Sequence, residues 1–112
     1  MTTEKMTSVK LQRGLHLKMQ QHIINNGYGM RGKSKWIIEA IEKFLQMPNF
    51  LDFVDIADEA NSLEENVSLR LPSSLYGQLE SALIEVRKNF PSMEGVKSKL
   101  VRASITQRIL RG

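Results

Sequence analysis

The sequence predicts a mainly α-helical domain built around a short two-stranded antiparallel β-ribbon, with two similar halves sharing one core. Three observations carry that expectation. A short segment early in each half alternates apolar and polar residues, each such segment precedes two stretches of helical periodicity, and the order strand, helix, turn, helix occurs twice within 112 residues. A half of roughly 45 residues with one strand can neither close a sheet nor bury a sufficient core, so the halves are expected to pair. The units are residues 1–45 and 66–112, joined by an acidic connector at 46–65.

In the first half, Ser8-Val9-Lys10-Leu11-Gln12 has the period-two pattern of a half-buried strand. Val9 and Leu11 then face the core, while Ser8, Lys10 and Gln12 face outward. The next helix carries Leu17, Met19, Ile23 and Ile24 as its apolar stripe and stops at Asn25-Asn26-Gly27, a left-handed cap signature. Lys33-Ser34-Lys35 opens a strongly amphipathic helix whose apolar face is Ile37, Ala40, Ile41, Phe44 and Leu45. Arg13 stands where the strand pattern wants an inward residue. It either turns out toward a phosphate, or the strand bends at Gly14 and runs on through Leu15 and Leu17.

The second half repeats these parts. Asn66-Val67-Ser68-Leu69-Arg70-Leu71 is the second strand, with Asn66, Ser68 and Arg70 outward, and Pro72 closes it for want of an amide hydrogen. A helix capped by Ser73 or Ser74 follows, striped by Leu75, Leu79, Ala82, Leu83 and Val86, and ends at Asn89-Phe90-Pro91. Lys97-Ser98-Lys99 opens the last helix, with Val101, Ser104, Ile105, Arg108 and Ile109 in the matching apolar places. Trp36 and Leu100 read as packing residues. The strands correspond at an offset of 58 and the last helices at 64, which puts six extra residues in the turn around Phe90–Gly95.

Cysteine is absent, so disulfides and thiolate metal sites are excluded. No apolar run approaches the ~18 residues of a membrane span and no signal core follows Met1, so a soluble cytoplasmic protein with no membrane partner is expected. The net charge of +4 is unevenly spread: residues 1–45 and 66–112 each hold eight basic and three acidic residues, while 46–65 hold six acids and no base. Two basic surfaces meeting a polyanion, with the acidic stretch turned away, would give this segregation. So would a solvated acidic loop. Phe50, Phe53, Val54 and Ile56 are expected to clasp that connector to the core.

Residues 27–34, GYGMRGKS, fit both the phosphate-cradling G-x-x-x-x-G-K-[ST] and the dinucleotide G-x-G-x-x-G. A P-loop needs a strand before it, whereas LHLKMQQHIINN is helical in pattern. The matching SMEGVKSK keeps Lys-Ser-Lys and loses the spaced glycines, so the recurring feature is a helix start. A helix N-terminus binds anions through free amides and the positive end of its dipole. Lys33, Ser34, Lys35, Lys97, Ser98 and Lys99 are therefore candidate phosphate contacts, with Arg13 as a further one. His16 and His22 lie six apart, the wrong spacing for one helix face, and the acids of 52–65 lack the alternate spacing and glycine of a calcium loop. No catalytic residue, metal site or cofactor is expected.

The strand ending in Pro72, the glycine-containing turns and Gly32-Lys33-Ser34-Lys35 resemble the ribbon-helix-helix (Arc/MetJ/CopG-like) family of DNA-binding proteins, over about residues 7–45 and 65–110. With both copies in one chain, it is similar to the tandem TraY group of conjugative plasmids. The resemblance implies a pseudo-dimer sharing one core, double-stranded DNA as partner, and Ser8, Lys10, Gln12, Asn66, Ser68 and Arg70 as the base-reading set. Because Lys10-Gln12 differs from Ser68-Arg70, two unlike half-sites are expected. It further implies transcriptional regulation, commonly repression, with an accessory role at a plasmid transfer origin beside a relaxase as the alternative. Side-by-side self-association on DNA is compatible with either.

Overall fold

Each half of the chain lays down a strand and then two helices. The computed structural model describes residues 4–29, 32–55 and 64–111. Strand β1 (Glu4–Gln12) leads into helix α1 (Arg13–Asn25), followed by α2 (Lys33–Leu45) and the short α3 (Phe50–Asp55). Strand β2 (Glu64–Pro72), α4 (Ser73–Asn89) and α5 (Val96–Arg111) complete it. The strands pair antiparallel as a two-stranded sheet, with Ser8 opposite Ser68 at the midpoint and Val9 opposite Val67.

The alternation sorts side chains as the period requires. Val9, Leu11, Val67, Leu69 and Leu71 are buried, whereas Ser8, Lys10, Asn66, Ser68 and Arg70 are exposed. Both strands start before their alternating segments, because Glu4–Thr7 pair with Leu69–Pro72 and Glu64 and Glu65 pair with Gln12 and Leu11, a tertiary choice that local pattern does not carry. A single apolar cluster takes in the inner ribbon face and all five helices, with Trp36, Phe44, Leu79, Leu100 and Ile105 among its fully buried members. None of the described helices is long and apolar enough to cross a membrane.

Several sequence expectations are corrected. Strand β2 and helix α4 begin 60 residues after β1 and α1, so the early correspondence is 60 and not 58. A period-two pattern superimposes on itself after any shift of two, so apolar spacing cannot separate these offsets. At 60, Lys10 matches Arg70, Ser8 matches Ser68, and Leu15, Met19 and Ile23 match Leu75, Leu79 and Leu83. Met19 thus takes the place of Leu79, while Leu17 and Ile24, expected inside, are 54% and 69% exposed. The remaining extra residues are not in the Phe90–Gly95 turn. Helix α4 has 17 residues against 13 in α1, an added turn in which Val86 is buried.

The strand does not continue through Leu15 and Leu17: it ends at Gln12, and Arg13 is the exposed first residue of α1. Neither Ser73 nor Ser74 caps α4, since Ser73 is already helical and Pro72 holds the cap position without a side-chain bond. The stop of α1 is as the sequence suggests. Gly27 adopts φ 76°, its amide bonds Ile24 at 3.1 Å, and the Tyr28 amide returns to Ile23 at 3.1 Å. That pair of bonds is a Schellman motif, which the left-handed conformation of a glycine makes inexpensive. A Cβ on Gly32 would collide with the carbonyl and Cβ of Tyr28. The glycines of GYGMRGKS therefore build an inter-helix turn, preceded by α1 and not by a strand.

The described residues of the connector include a helix. Helix α3 lies within it, Val54 is buried, and Phe50 and Phe53 pack beside Phe44 with ring centroids 6.0 and 6.4 Å away. Ile56, Asp58 and Glu59 lie outside the described residues. Glu64 and Glu65 belong to β2 and not to a linker.

Candidate nucleic-acid interface

Both halves contribute in register to the outer face of the ribbon. Cross-strand neighbours on it are Lys10 with Asn66, Ser8 with Ser68, and Met6 with Arg70. Residues directly opposite hold their Cβ atoms about 5 Å apart, and successive pairs on one face stand about 6.7 Å apart. A basic residue thus lies on either side of the Ser8–Ser68 midpoint, with about 13 Å between their levels. Met6, 63% exposed, joins the outward residues because β1 begins at Glu4, ahead of the alternating segment that starts at Ser8. Gln12 sits at the end of the ribbon, half-buried at the cap position of α1 and opposite Glu64, and so is set back from the exposed face. Glu4 is exposed on the same face at the other end, so the cationic stretch covers three pairs.

One edge of the ribbon is clamped. The Lys10 amide donates to Ser98 Oγ at 3.1 Å, and Arg102 Nη1 donates to the Lys10 carbonyl at 3.1 Å. Both polar groups of the Lys10 backbone point out of the ribbon and are satisfied by α5, which fixes the strand where its lysine projects. In the other half, the helix positions matching Ser98 and Arg102 are Ser34 and Ile38, and isoleucine cannot make the carbonyl bond.

The two helix starts differ in the same way. At α2, Ser34 and Lys35 are exposed and Lys33 half-buried, with Lys35 Nζ 5.9 Å from the Tyr28 ring centre. At α5, Lys97 and Ser98 are half-buried and Lys99 is only 7% exposed. Lys99 lines an open groove of about 850 Å³ beside Lys10, Ser98, Arg102, Glu94 and Asp55. The two helix starts thus share a half-buried first lysine and differ in the second: Lys35 is exposed, whereas Lys99 packs along the α4–α5 turn. Asp55 shares this groove, so the acidic connector does not turn wholly away from the basic surface. Packing of α3 against α5 brings it there.

Behind the α2 start lies a polar cluster that sequence reading missed. Arg108 occupies the place of Phe44 in the repeat, and its guanidinium crosses to α2. Nη1 donates to the Trp36 carbonyl at 2.7 Å and to Glu39 Oε1 at 3.2 Å, and Nη2 donates to the Tyr28 hydroxyl at 2.7 Å. The guanidinium carbon stands 4.6 Å from the Trp36 ring centre and 5.2 Å from that of Tyr28. Tyr28 in turn donates to Glu39. On the far side of the indole, Trp36 Nε1 donates to His22 Nδ1 at 3.1 Å. An indole nitrogen can only donate, so His22 Nδ1 accepts and its proton sits on Nε2. The other histidine, His16, meets Glu65 through Nδ1 at 3.1 Å and ties α1 to β2. Among the described residues no group of three or more His, Asp or Glu is placed to hold a metal ion.

The Tyr28 hydrogen bond, opposed by partial burial and assisted by Arg108 and Lys35, holds the Glu39 carboxyl below its ordinary value of 4.5. A carboxyl depressed in the folded state contributes stability that is complete above its unfolded value and lost as pH falls through the folded one. The difference in unfolding free energy between wild type and Glu39→Gln should therefore be constant above about pH 5.5 and shrink steadily below pH 4.5. Urea melts at several pH values read this directly. A difference that grew on acidification would place the Glu39 interaction in the unfolded chain.

No family model, curated protein or solved structure matches this chain. What the surface can do follows from its own geometry. It offers an exposed, two-stranded, hydrogen-bonding face flanked by a basic helix start.

Proposed function

We propose that the chain is a sequence-specific double-stranded DNA-binding protein, a single-chain tandem ribbon-helix-helix pseudo-dimer that lays β1 and β2 in the major groove and regulates transcription. The observation that carries this reading is the ribbon itself: strands from the two halves pair about Ser8 and Ser68, bury one face and present Lys10 and Arg70 symmetrically on the other. A two-stranded ribbon fits a major groove about 12 Å wide, where Lys and Arg bond guanine O6 and N7 and Asn bonds adenine N6 and N7. The start of α2, with Lys33, Ser34 and Lys35, and Arg13 at the start of α1 supply phosphate contacts that fix register without reading sequence. At the second helix start, Lys97 and the Ser98 hydroxyl take this role, and Lys99 contributes charge from within its groove.

Equilibrium binding to labelled duplex fragments tests the proposal. Affinity should fall by about a thousandfold between 50 and 200 mM salt if some six phosphates are neutralised. The same sequence as a single strand should bind far more weakly, since no groove is then present. Absence of duplex binding at 50 mM salt, or binding indifferent to salt, sinks the proposal. ATP or GTP with magnesium should not bind.

A further inference from the structure

The cross-strand register makes the two ends of the ribbon chemically unequal. On one side of Ser8–Ser68 stands Lys10 opposite Asn66; on the other stands Arg70 opposite Met6. The two basic residues correspond at the offset of 60, and so do Asn66 and Met6, so the halves keep the same kind of guanine reader and differ in the residue beside it. Asn66 can donate to and accept from a base edge. Met6 cannot donate and its exposed thioether accepts only weakly, so what it offers is chiefly an apolar contact.

We infer, resting on the DNA-binding proposal, that the protein reads an oriented, non-palindromic site through this inequality. The Lys10–Asn66 end selects guanine next to adenine, and the Arg70–Met6 end selects guanine next to thymine. Adenine alone presents the adjacent N7 acceptor and N6 donor that an amide can satisfy together, and thymine alone carries a methyl group into the major groove. With ribbon pairs about 6.7 Å apart and base pairs stacked about every 3.4 Å, the two guanine contacts fall about four base pairs apart. The α5 clamp adds a second inequality. Ser98 and Arg102 hold the Lys10 backbone at both its amide and its carbonyl, whereas isoleucine at position 38 denies Arg70 the matching carbonyl bond. A pre-set strand loses less freedom on binding, so the Lys10 end should tolerate fewer departures from its preferred bases.

Selection of bound duplexes from a randomised pool, sequenced for wild type, Met6→Ala and the double exchange Met6→Asn with Asn66→Met, tests this. Wild type should return a site with different bases beside its two guanines. Met6→Ala should weaken the thymine preference at one position, on the order of tenfold, and leave the other end intact. The exchange should move the adenine preference to the opposite end. Both substituted positions are exposed, and matching circular dichroism melts would show that the folds are intact. A palindromic wild-type site, or a Met6→Ala consensus unchanged at every position, overturns the half-site assignment while leaving DNA binding in place. Failure of wild type to enrich any duplex overturns both, and is distinguishable for that reason.

Discussion

Replacing Trp36 with alanine should lower the unfolding free energy by about 3–5 kcal/mol, the range for deleting a buried large aromatic. Trp36 is fully buried, and its loss opens a cavity between α2, α1 and α5. It also removes the donor to His22 Nδ1 and the face on which the Arg108 guanidinium rests at 4.6 Å. For a domain whose total stability is about 5–15 kcal/mol, that is about a fifth or more. Trp36→Phe should cost less, keeping most of the ring volume and giving up a hydrogen bond of about 1 kcal/mol. Arg108→Ala should cost an intermediate amount, because it leaves the Trp36 carbonyl and Tyr28 hydroxyl without their charged donor. The two alanine substitutions should not add, since each removes part of the same contact. Denaturant melts followed by circular dichroism give all four numbers, and strict additivity would show that the stacked geometry contributes nothing to stability.

How much of this was legible depends on which physical constraint wrote it into the chain. Strand alternation, the α2 stripe, the Asn25–Gly27 stop and the break at Pro72 are local, so spacing and cap chemistry were enough to place them. Register is not local. The pattern Val-x-Leu looks the same after a slip of two, and only pairing with the partner strand decided that Lys10 answers Arg70 and that Met6 joins the outer face. The added turn of α4 was hidden for a related reason: an apolar stripe shows that a helix exists, but its length is fixed by where packing ends. The apolar residues of the connector point to its core contact through Val54, but a helix of only six residues, α3, is too short to show a periodic signal. The Arg108 cluster was the least legible. A single arginine on an apolar stripe reads as a fault in the pattern until α2 supplies Trp36, Tyr28 and Glu39 around it. The buried Lys99 is the mirror case, a residue whose type suggests exposure and whose place in the first turn of α5, beside the α4–α5 connection, removes it.

Arg70→Ala and Lys35→Ala should separate reading from positioning on DNA. Arg70 is exposed on the ribbon face, and in the proposed complex its fork would span O6 and N7 of one guanine. Its loss should cost about 1–3 kcal/mol on the preferred duplex and little on unrelated sequence, so the ratio between them collapses. The salt dependence should hardly change, because no phosphate contact is lost. Lys35 is exposed in the first turn of α2, where the helix dipole and free amides already favour an anion. Its loss should weaken preferred and unrelated duplexes by the same factor and make the slope of log K against log salt shallower by about 0.9. Binding isotherms on two duplexes at four salt concentrations suffice. If Arg70→Ala flattened the salt slope and spared sequence preference, the ribbon would be lying along the backbone and the reading surface would have to be sought elsewhere. If Lys35→Ala changed preference without changing slope, the start of α2 would be that surface. The proposed geometry predicts neither, because it sets the ribbon against the base edges and the start of α2, with its free amides, against a phosphate.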